Sequence, residues 1–429
     1  MKKKELILIE LNELNFEMAL PYIKNYKLKN LEIMIKNIQT TDAENEYELL
    51  EPWIQWLTIK TGLSAKEHGI FRLGDKNNTI HENIYEKLEK TGYSVGAISP
   101  MNTPNNCEDP KYFIPDPWSL SKSDDTFLSR LTFKMLKQTV NDNAKDGITL
   151  KSSLTIIFLI TFYSNPKNFY KYIKYFIASR KLRWFKALFL DLLLNDVHLK
   201  LLKKRKPNFS TIFLNAAAHI QHHYLFNSLI SKKNTNSENT YKPDQDAFKD
   251  VLILYNEIIG DYLKLENYDL IFLTGLSQVL NNNGEYYYRL KDHKDFLKKL
   301  NIKFDNVYPR MSRDFLVEFK NLEDVNSAFE ILSSLTTNNI RLFNIIEKKD
   351  KSLFITLTYP KKIYKIDYIL HSQNKINLLE NVVFTALKNG KHSSKGYCYF
   401  KGDFKNLEQL KNSFNIKKLY GFLSNYFSN

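Results

Sequence analysis

Three histidines fall within five residues of one another, directly after a short hydrophobic run. The run, residues 211–214, ends at Asn215, and His219, His222 and His223 follow. Residues three and four apart share one face of a helix, so a helix that starts just after Asn215 would bring the three imidazoles together. Imidazoles grouped in this way can bind a metal ion or an anion. The alternative is a helix whose surface histidines have no chemical role.

A second set of polar groups follows the first predicted strand. Residues 4–10 contain the apolar run LILI, and Glu10, Asn12 and Glu13 come next. Carboxylates at the carboxyl end of a strand can bind a metal or act as acid and base, although Glu13 is equally suited to the first turn of a helix. The lysines before this run resemble the start of a signal peptide. The apolar run is too short for one, so a strand is predicted.

The elements that must position these groups alternate between helix and strand. A helix is predicted from Pro52 to Gly62, another over 84–90, and strands over 93–99 and 268–273. This alternation indicates an α/β fold, with a mostly parallel sheet sandwiched by helices. Ligands of such sheets bind beyond the carboxyl ends of the strands. The small polar residues that follow the strand 268–273 are therefore candidate ligand contacts.

Five segments are predicted along the chain. Residues 1–118 and 208–300 form the two parts of the α/β core, and 119–207 form a basic helical cap inserted between them. A polar loop is expected over 231–246, and a loop over 389–400 is expected to present His392. The remaining segments are a small α+β unit over 301–365 and a return to the core over 366–429, which ends in a helix over 407–427.

Composition suggests the kind of partner. The chain has 429 residues, is 43% hydrophobic and carries a net charge of +15, which favours an anionic partner. Residues 168–206 mix Lys and Arg with aromatic residues, a pattern typical of contact with anionic membranes or lipid-linked substrates, or of a solvated helix face. Nucleic acid is not expected, because no binding motif accompanies the charge. The apolar stretch 153–163 is about half the length of a membrane span.

Cysteine usage indicates the compartment. Cys107 and Cys398 are the only two cysteines, so neither a disulfide framework nor a cysteine-rich zinc site is expected. We therefore expect a cytoplasmic location, with peripheral membrane association as an alternative.

Three motifs together resemble the alkaline phosphatase superfamily, in its type I phosphodiesterase/nucleotide pyrophosphatase branch. The first is TIKTGLSAKEHGI over 58–70, similar to the segment that runs from the nucleophile helix to an HGI turn. The second is the strand that ends in Asn215 with His219 four residues on. The third is GKHSSKG over 390–396, similar to the loop that supplies the last metal-binding histidine, here His392.

The resemblance, taken with the residues themselves, gives a set of site predictions. Catalytic candidates are Glu10, Glu13, Gln55, Thr58 and His222; metal-ligand candidates are Glu10, Asn215, His219, His223 and His392; substrate-binding candidates are Asn12, Ser277 and Gln278.

The chain also departs from the family pattern. Asn215 stands where the family has an aspartate, residues 274–277 replace an Asp-His pair, and Pro52 stands at the position of the hydroxyl nucleophile. A full two-zinc site is therefore not expected, since each zinc requires about three protein ligands. Two alternatives remain: a site with one zinc or manganese ion, and a metal-free site in which histidines transfer protons.

Three function hypotheses follow. The first is a divergent enzyme of this superfamily that cleaves or transfers a phosphoester-type group, for example of a nucleotide-sugar or a surface-glycan precursor in polysaccharide biosynthesis. The second is a catalytically inactive member that binds a phosphorylated ligand or a partner protein. The third is a scaffold at the membrane surface, which depends only on the basic cap.

Overall fold

The computed structural model describes residues 5–44, 46–73, 81–119, 121–142, 147–231, 242, 244–309, 313–371, 374–405, 407–410 and 413–428. Most of the polar loop predicted over 231–246 lies outside these residues. The chain divides into two compact units, one formed by 1–280 with 390–429 and the other by 281–389.

The first unit is built on an eight-stranded sheet. Its strands are β1 (Leu6–Leu11), β2 (Gln39–Asp42), β3 (Val95–Ile98), β4 (Tyr112–Ile114), β5 (Phe209–Leu214), β6 (Asp269–Leu273), β17 (Lys395–Lys401) and β18 (Ser413–Asn415). Their order across the sheet is β18-β2-β17-β6-β1-β5-β3-β4. The strands pair in parallel, except that β17 runs antiparallel to both β2 and β6.

Helices cover both faces of this sheet. They are α1 (Phe16–Asn25), α2 (Lys29–Ile35), α3 (Pro52–Thr61), α4 (Ala65–His68), α5 (Ile84–Lys90), α6 (Phe127–Lys137), α7 (Leu150–Tyr163), α8 (Phe169–Ala178), α9 (Phe185–Arg205), α10 (Ala216–His223), α11 (Ala247–Leu263) and α15 (Lys418–Ser428). No helix among the described residues is long and apolar enough to cross a bilayer.

Side chains of the central strand point alternately to two separate cores. Ile7 and Ile9 of β1 join the core that contains α1, α2 and α6 to α11, whereas Leu6 and Leu8 join the core that contains α3, α5 and α15. Every residue of β1 and β5 is buried, as expected for parallel strands covered on both faces. The predicted α/β fold class is confirmed.

Local sequence accounts for the helix that precedes the candidate site. Pro52 occupies the first turn of α3, where its missing N–H costs nothing, and Gly62 ends the helix with a φ of 71°. Trp56 lies buried on the sheet side and contacts the ring of Phe213 edge to face. The helix predicted from the spacing of these residues is confirmed.

The second unit has its own antiparallel sheet and helices. Its four-stranded sheet has the order β12-β13-β9-β8, with β8 (Asn306–Pro309), β9 (Asp314–Glu318), β12 (Phe343–Lys349) and β13 (Ser352–Leu357). The other elements are α12 (His293–Lys299), α13 (Leu322–Ser334), β10 (Thr336–Thr337), β11 (Ile340–Arg341), β14 (Tyr368–His371), β15 (Asn374–Asn377) and α14 (Leu378–Asn381). Two longer strands, β7 (Ser277–Leu290) and β16 (Val382–Ser393), pair with each other and pass from one unit into the other.

Two expectations near the C-terminus were wrong. The last helix begins at Lys418 rather than 407, because Phe414 is buried between exposed neighbours and residues 413–415 pair with β2 as a strand. His392 lies near the end of strand β16 rather than in a loop. The glycines around it, Gly390 and Gly396, serve close backbone packing, since an added Cβ would lie within 2.5 Å of neighbouring atoms at both positions.

Candidate metal centre

Three side chains from distant parts of the chain converge in the first unit. Glu13 Oε2 lies 3.2 Å from His222 Nε2 and 3.2 Å from His392 Nε2, and the two Nε2 atoms are 3.4 Å apart. We call Glu13, His222 and His392 the Glu-His-His cluster. Its members could hold one metal ion, and it is the only such group among the described residues. Glu13 and His392 are buried, whereas His222 is 20% exposed, so solvent reaches the cluster at His222.

The backbone of Glu13 is held in an unusual conformation just beyond β1. Its φ is 58°, a value rarely adopted by residues with a side chain. The N–H of Glu13 donates to the carbonyl of Thr274 at 3.1 Å, and its carbonyl accepts from Gln221 Nε2 at 2.9 Å. Strain of this kind persists only where neighbours enforce it and is common at functional sites.

Two amides fix the carboxylate of Glu13. Asn12 Nδ2 donates to Oε1 at 3.1 Å, and Gln278 Nε2 donates to Oε2. Asn12 is fixed in turn, since its Oδ1 accepts from Trp56 Nε1 at 2.7 Å and its Nδ2 also donates to Asn215 Oδ1 at 2.8 Å. Polar partners of this sort orient metal ligands. The predicted substrate residues Asn12 and Gln278 therefore contact the cluster itself.

Helix α10 positions His222. The helix begins after Asn215, as predicted, and a buried aspartate binds its amino end: Asp191 accepts from the N–H of Asn215 at 3.2 Å and of Ala216 at 2.8 Å. The buried alanines 216–218 allow α10 to pack closely in the core. Tyr255 OH also donates to Asp191, at 2.7 Å.

His392 has a second acidic neighbour. Its Nδ1 lies 3.7 Å from Glu51 Oε2, on the side opposite the cluster, and the Glu51 side chain is 34% exposed. Glu51 directly precedes α3, so the helix places this carboxylate beside the site. His392 thus lies between one buried and one partly exposed carboxylate.

The surroundings keep Glu13 ionised. Burial alone would raise the pKa of its carboxyl group, but the charges of His392 and His222 and the hydrogen bonds from both hold that pKa well below the usual value. A buried carboxylate with a depressed pKa is a typical feature of functional sites.

Other predicted site residues lie outside the cluster. Glu10 is fully buried and forms an ion pair with Lys60 of α3; burial raises the pKa of Glu10 and lowers that of Lys60. His219 is exposed and His223 half-buried, and their rings are 5.2 Å apart. Asn215 is connected to the site through its hydrogen bond with Asn12.

Two of the remaining candidates, Gln55 and Thr58, have structural partners. Gln55 donates to the Leu49 carbonyl at 2.6 Å and accepts from the Glu44 N–H at 3.3 Å. Thr58 Oγ1 lies 3.4 Å from His68 Nε2, and His68 Nδ1 accepts from the N–H of Ile70. Burial and the charge of His81 lower the pKa of His68 to about 4. The side chain of Ser277, the residue before Gln278, is buried.

Two residues at the site were not among the sequence candidates. The sequence signal for Glu51 is its position directly before Pro52 and the predicted helix. Nothing in the sequence distinguishes Gln221 from other polar helix residues. Its Nε2 donates to the Glu13 carbonyl and its Oε1 accepts from the N–H of Asn15 at 3.1 Å, so it connects α10 to the segment after β1.

Comparison with known proteins gives similarity to solved structures alone. No protein-family model and no curated sequence matches the chain. It is similar to murine ectonucleotide pyrophosphatase/phosphodiesterase 5, with a TM-score of 0.46 and 10% identity over 99% of this chain and 95% of that one. It is also similar to phosphonoacetate hydrolase from Sinorhizobium meliloti 1021, with a TM-score of 0.45, 10% identity and coverage of 99% and 96%. For the alkaline phosphatase PafA the TM-score is 0.46, with 10% identity and coverage of 98% and 94%. These matches describe a likeness in the course of the chain and nothing further.

Proposed function

We propose that the Glu-His-His cluster binds one divalent metal ion and that the protein cleaves or transfers a phosphoester-type group there. The observation that carries the proposal is the spacing of the three ligand atoms, 3.2, 3.2 and 3.4 Å. Ligands about 2.0 to 2.1 Å from a tetrahedral ion lie about 3.3 Å from one another. The three atoms therefore already have the separations that a single tetrahedral ion requires.

The donor chemistry fits the same conclusion. One carboxylate and two imidazoles form a ligand set found in catalytic zinc sites, which keep a further position for substrate or water. Metal ligation requires an ionised carboxylate and neutral imidazoles, so a bound ion would replace the two histidine charges that hold the pKa of Glu13 well below its usual value. A divalent ion supplies positive charge that stabilises charge developing on a phosphoryl group. Zinc and manganese are the proposed metals.

The residues of the chain have distinct proposed roles around the ion. Asn12 and Gln278 hold the carboxylate of Glu13 in the orientation that ligation requires. Glu51 faces His392 and is partly exposed, so it is placed to accept or return a proton during group transfer. The proposed substrates are nucleotide-sugars or phosphorylated glycan precursors, whose negative charge suits a protein with a net charge of +15.

A binding protein without turnover is the second candidate. It is favoured by the position of Thr58, the hydroxyl residue named as a catalytic candidate, which lies against His68 rather than at the cluster. In that case the cluster would hold a metal or a phosphorylated ligand without chemistry.

Metal content and turnover test both candidates. Wild-type protein and the Glu13→Gln, His222→Ala and His392→Ala variants would be purified and analysed for zinc, manganese and iron. Each would be assayed on bis(p-nitrophenyl) phosphate and a panel of nucleotide-sugars. We expect about one metal ion per wild-type chain and a loss of both metal and turnover, by about 100-fold or more, in each variant.

The matched control is His219→Ala, which removes an imidazole from the same helix but outside the cluster. It should retain metal and turnover. Wild-type metal without turnover on any substrate supports the binding protein. Absence of metal in the wild type would contradict the proposed centre. A loss of metal in the His219→Ala variant but not in the His392→Ala variant would contradict it as well.

A further inference from the structure

Helices α7 and α8 expose an unusual number of large apolar side chains. Twenty-six such residues are exposed among the described residues, and ten of them lie between positions 148 and 177. We call these ten the α7–α8 face: Ile148, Leu150, Leu154, Ile157, Phe162, Phe169, Tyr170, Ile173, Phe176 and Ile177. Their exposed fractions range from 42% to 75%. Soluble proteins rarely expose so many large apolar side chains within 30 residues of chain without a use for them.

The spacing shows that these residues form helix faces. Leu150, Leu154 and Ile157 recur every three or four residues along α7, while Thr155 and Leu159 on its other side are buried. On α8, Ile173 and Ile177 follow the same spacing, whereas Tyr172 and Tyr175 pack on rings of α9. Since each helix already buries one side in the core, the exposed apolar side is additional to what folding requires.

The charge around this face has one sign. Residues 147–190 contain eight Lys and Arg residues and no Asp or Glu. Seven of the eight are exposed: Lys151, Lys167, Lys174, Arg180, Lys181, Arg183 and Lys186. The eighth, Lys171, forms an ion pair with Glu257. A segment that exposes apolar side chains together with positive charges is complementary to a surface that is apolar inside and negative at its border.

We propose that the α7–α8 face docks on the surface of an anionic lipid bilayer. Helices that lie in the membrane interface insert an apolar face beneath the headgroups and place Lys and Arg at headgroup level, and both features are present here. The binding is peripheral, since neither helix is long and apolar enough to span a bilayer. This inference goes beyond the proposed function, because it holds whether or not the Glu-His-His cluster is active.

Vesicle flotation of the full-length protein tests the proposal. Wild-type protein would be mixed with vesicles of phosphatidylcholine alone, or with 30% phosphatidylglycerol, at about 0.1 and 0.5 M salt. We expect flotation with the anionic vesicles at low salt and a loss of about tenfold or more in partitioning with neutral vesicles. The apolar variant Leu154→Ser/Ile157→Ser/Ile173→Ser and the charge variant Lys174→Glu/Arg180→Glu should each lose about tenfold.

Matched controls lie elsewhere on the chain. Ile366→Ser/Leu370→Ser removes two residues exposed by 80% and 77%, and Lys361→Glu/Lys365→Glu reverses two exposed charges. Both should float like the wild type, and circular dichroism would confirm that every variant is folded. Three results would each overturn the proposal: absence of flotation, equal losses in the controls, or a wild-type oligomer that the apolar variant converts to a monomer, which would make the face a protein interface.

Discussion

At the scale of single residues, Glu13 combines three constraints that one side chain seldom carries together. Its backbone has a positive φ, its side chain is buried, and its carboxylate is ionised between two histidines. Each of these costs folding free energy unless neighbours compensate. Asn12, Gln221 and Gln278 supply that compensation through hydrogen bonds to its backbone and carboxylate.

Replacing one of these neighbours should weaken metal binding while all three ligands stay in place. We expect Gln278→Met to lower metal affinity by about 10- to 100-fold, because Glu13 loses the amide that orients Oε2. Competition with a chromogenic chelator would measure the affinity. Ser277→Ala is the control, since its Oγ has no hydrogen-bond partner among the described residues. Equal affinities for wild type and Gln278→Met would show that the amide has no orienting role.

At the scale of elements, the stability that Asp191 contributes at the amino end of helix α10 depends on pH. Burial raises the pKa of Asp191 to about 6, despite hydrogen bonds from Ala216, Tyr255 and Asn215 that favour the ionised form. The pKa in the unfolded chain is near 3.8. A group whose pKa is raised by folding contributes stability that is full below its unfolded pKa and is lost as pH rises through its folded pKa.

The Asp191→Asn variant isolates this contribution. The free energy of unfolding of the wild type, minus that of the variant, should fall by roughly 2 kcal/mol between about pH 4 and pH 6, out of roughly 3 kcal/mol over the whole titration, and stay level above pH 7. Urea unfolding at pH 4, 5, 6 and 7 would measure both proteins. A difference that rises with pH over this interval would mean that folding lowers the pKa of Asp191.

Strand β16 can hold His392 at the cluster only because Gly390, two residues before it, has no side chain. A Cβ at position 390 would lie 2.3 Å from the carbonyl oxygen of Gln221 and 2.3 Å from Gln278 Oε1. Both neighbours contact Glu13, so the strand cannot move away without disturbing the cluster.

We therefore expect Gly390→Ala to lower the free energy of unfolding by about 1 to 3 kcal/mol and to reduce metal content. Thermal unfolding and elemental analysis would measure the two effects. Gly421→Ala in α15 is the matched control, because no atom lies within 4 Å of its added Cβ and alanine is the better helix former by about 0.5 to 1 kcal/mol. A Gly390→Ala protein as stable as the wild type would show that the packing relaxes at no cost.

At the scale of the whole molecule, the two units have separate cores. Every buried member of the third apolar cluster lies between Tyr288 and Val382, within residues 281–389, and no member of the other two clusters does. A core that closes within one segment is a typical property of a unit that folds alone.

Residues 281–389 should therefore unfold cooperatively as an isolated chain. Phe315→Ala should lower its free energy of unfolding by about 3 to 5 kcal/mol, since the ring is fully buried, while the exposed Ile366→Ser should change it by less than about 0.5 kcal/mol. Circular dichroism during heating and urea unfolding would show both effects. A gradual loss of signal, without a transition, would mean that the segment depends on the rest of the chain.

The sequence predicted the elements better than it predicted the contacts between them. Periodicity located α3, α5 and α10, because buried faces impose their own spacing. The residues and the resemblance together placed Glu13 and His222 among the catalytic candidates and His392 among the metal ligands. They also named Glu10, Asn215, His219 and His223 as ligands. The packing shows that the side chain of Glu10 points toward Lys60 and away from the cluster. Adjacent residues of a strand point to opposite faces of the sheet, and the sequence does not tell which face Glu10 lies on.

The place of β17 in the sheet has a consequence for synthesis on the ribosome. This strand lies between β2 and β6, so these two strands, which are both made before it, remain unjoined until residues near 400 emerge. At about 5 to 20 residues per second, the 121 residues from Asn281 to Lys401 take roughly 6 to 24 s to translate. During that interval the nascent chain exposes the edge of β6 and lacks His392. The cluster is therefore incomplete until His392 has been translated, so the nascent chain cannot bind metal through all three ligands before then.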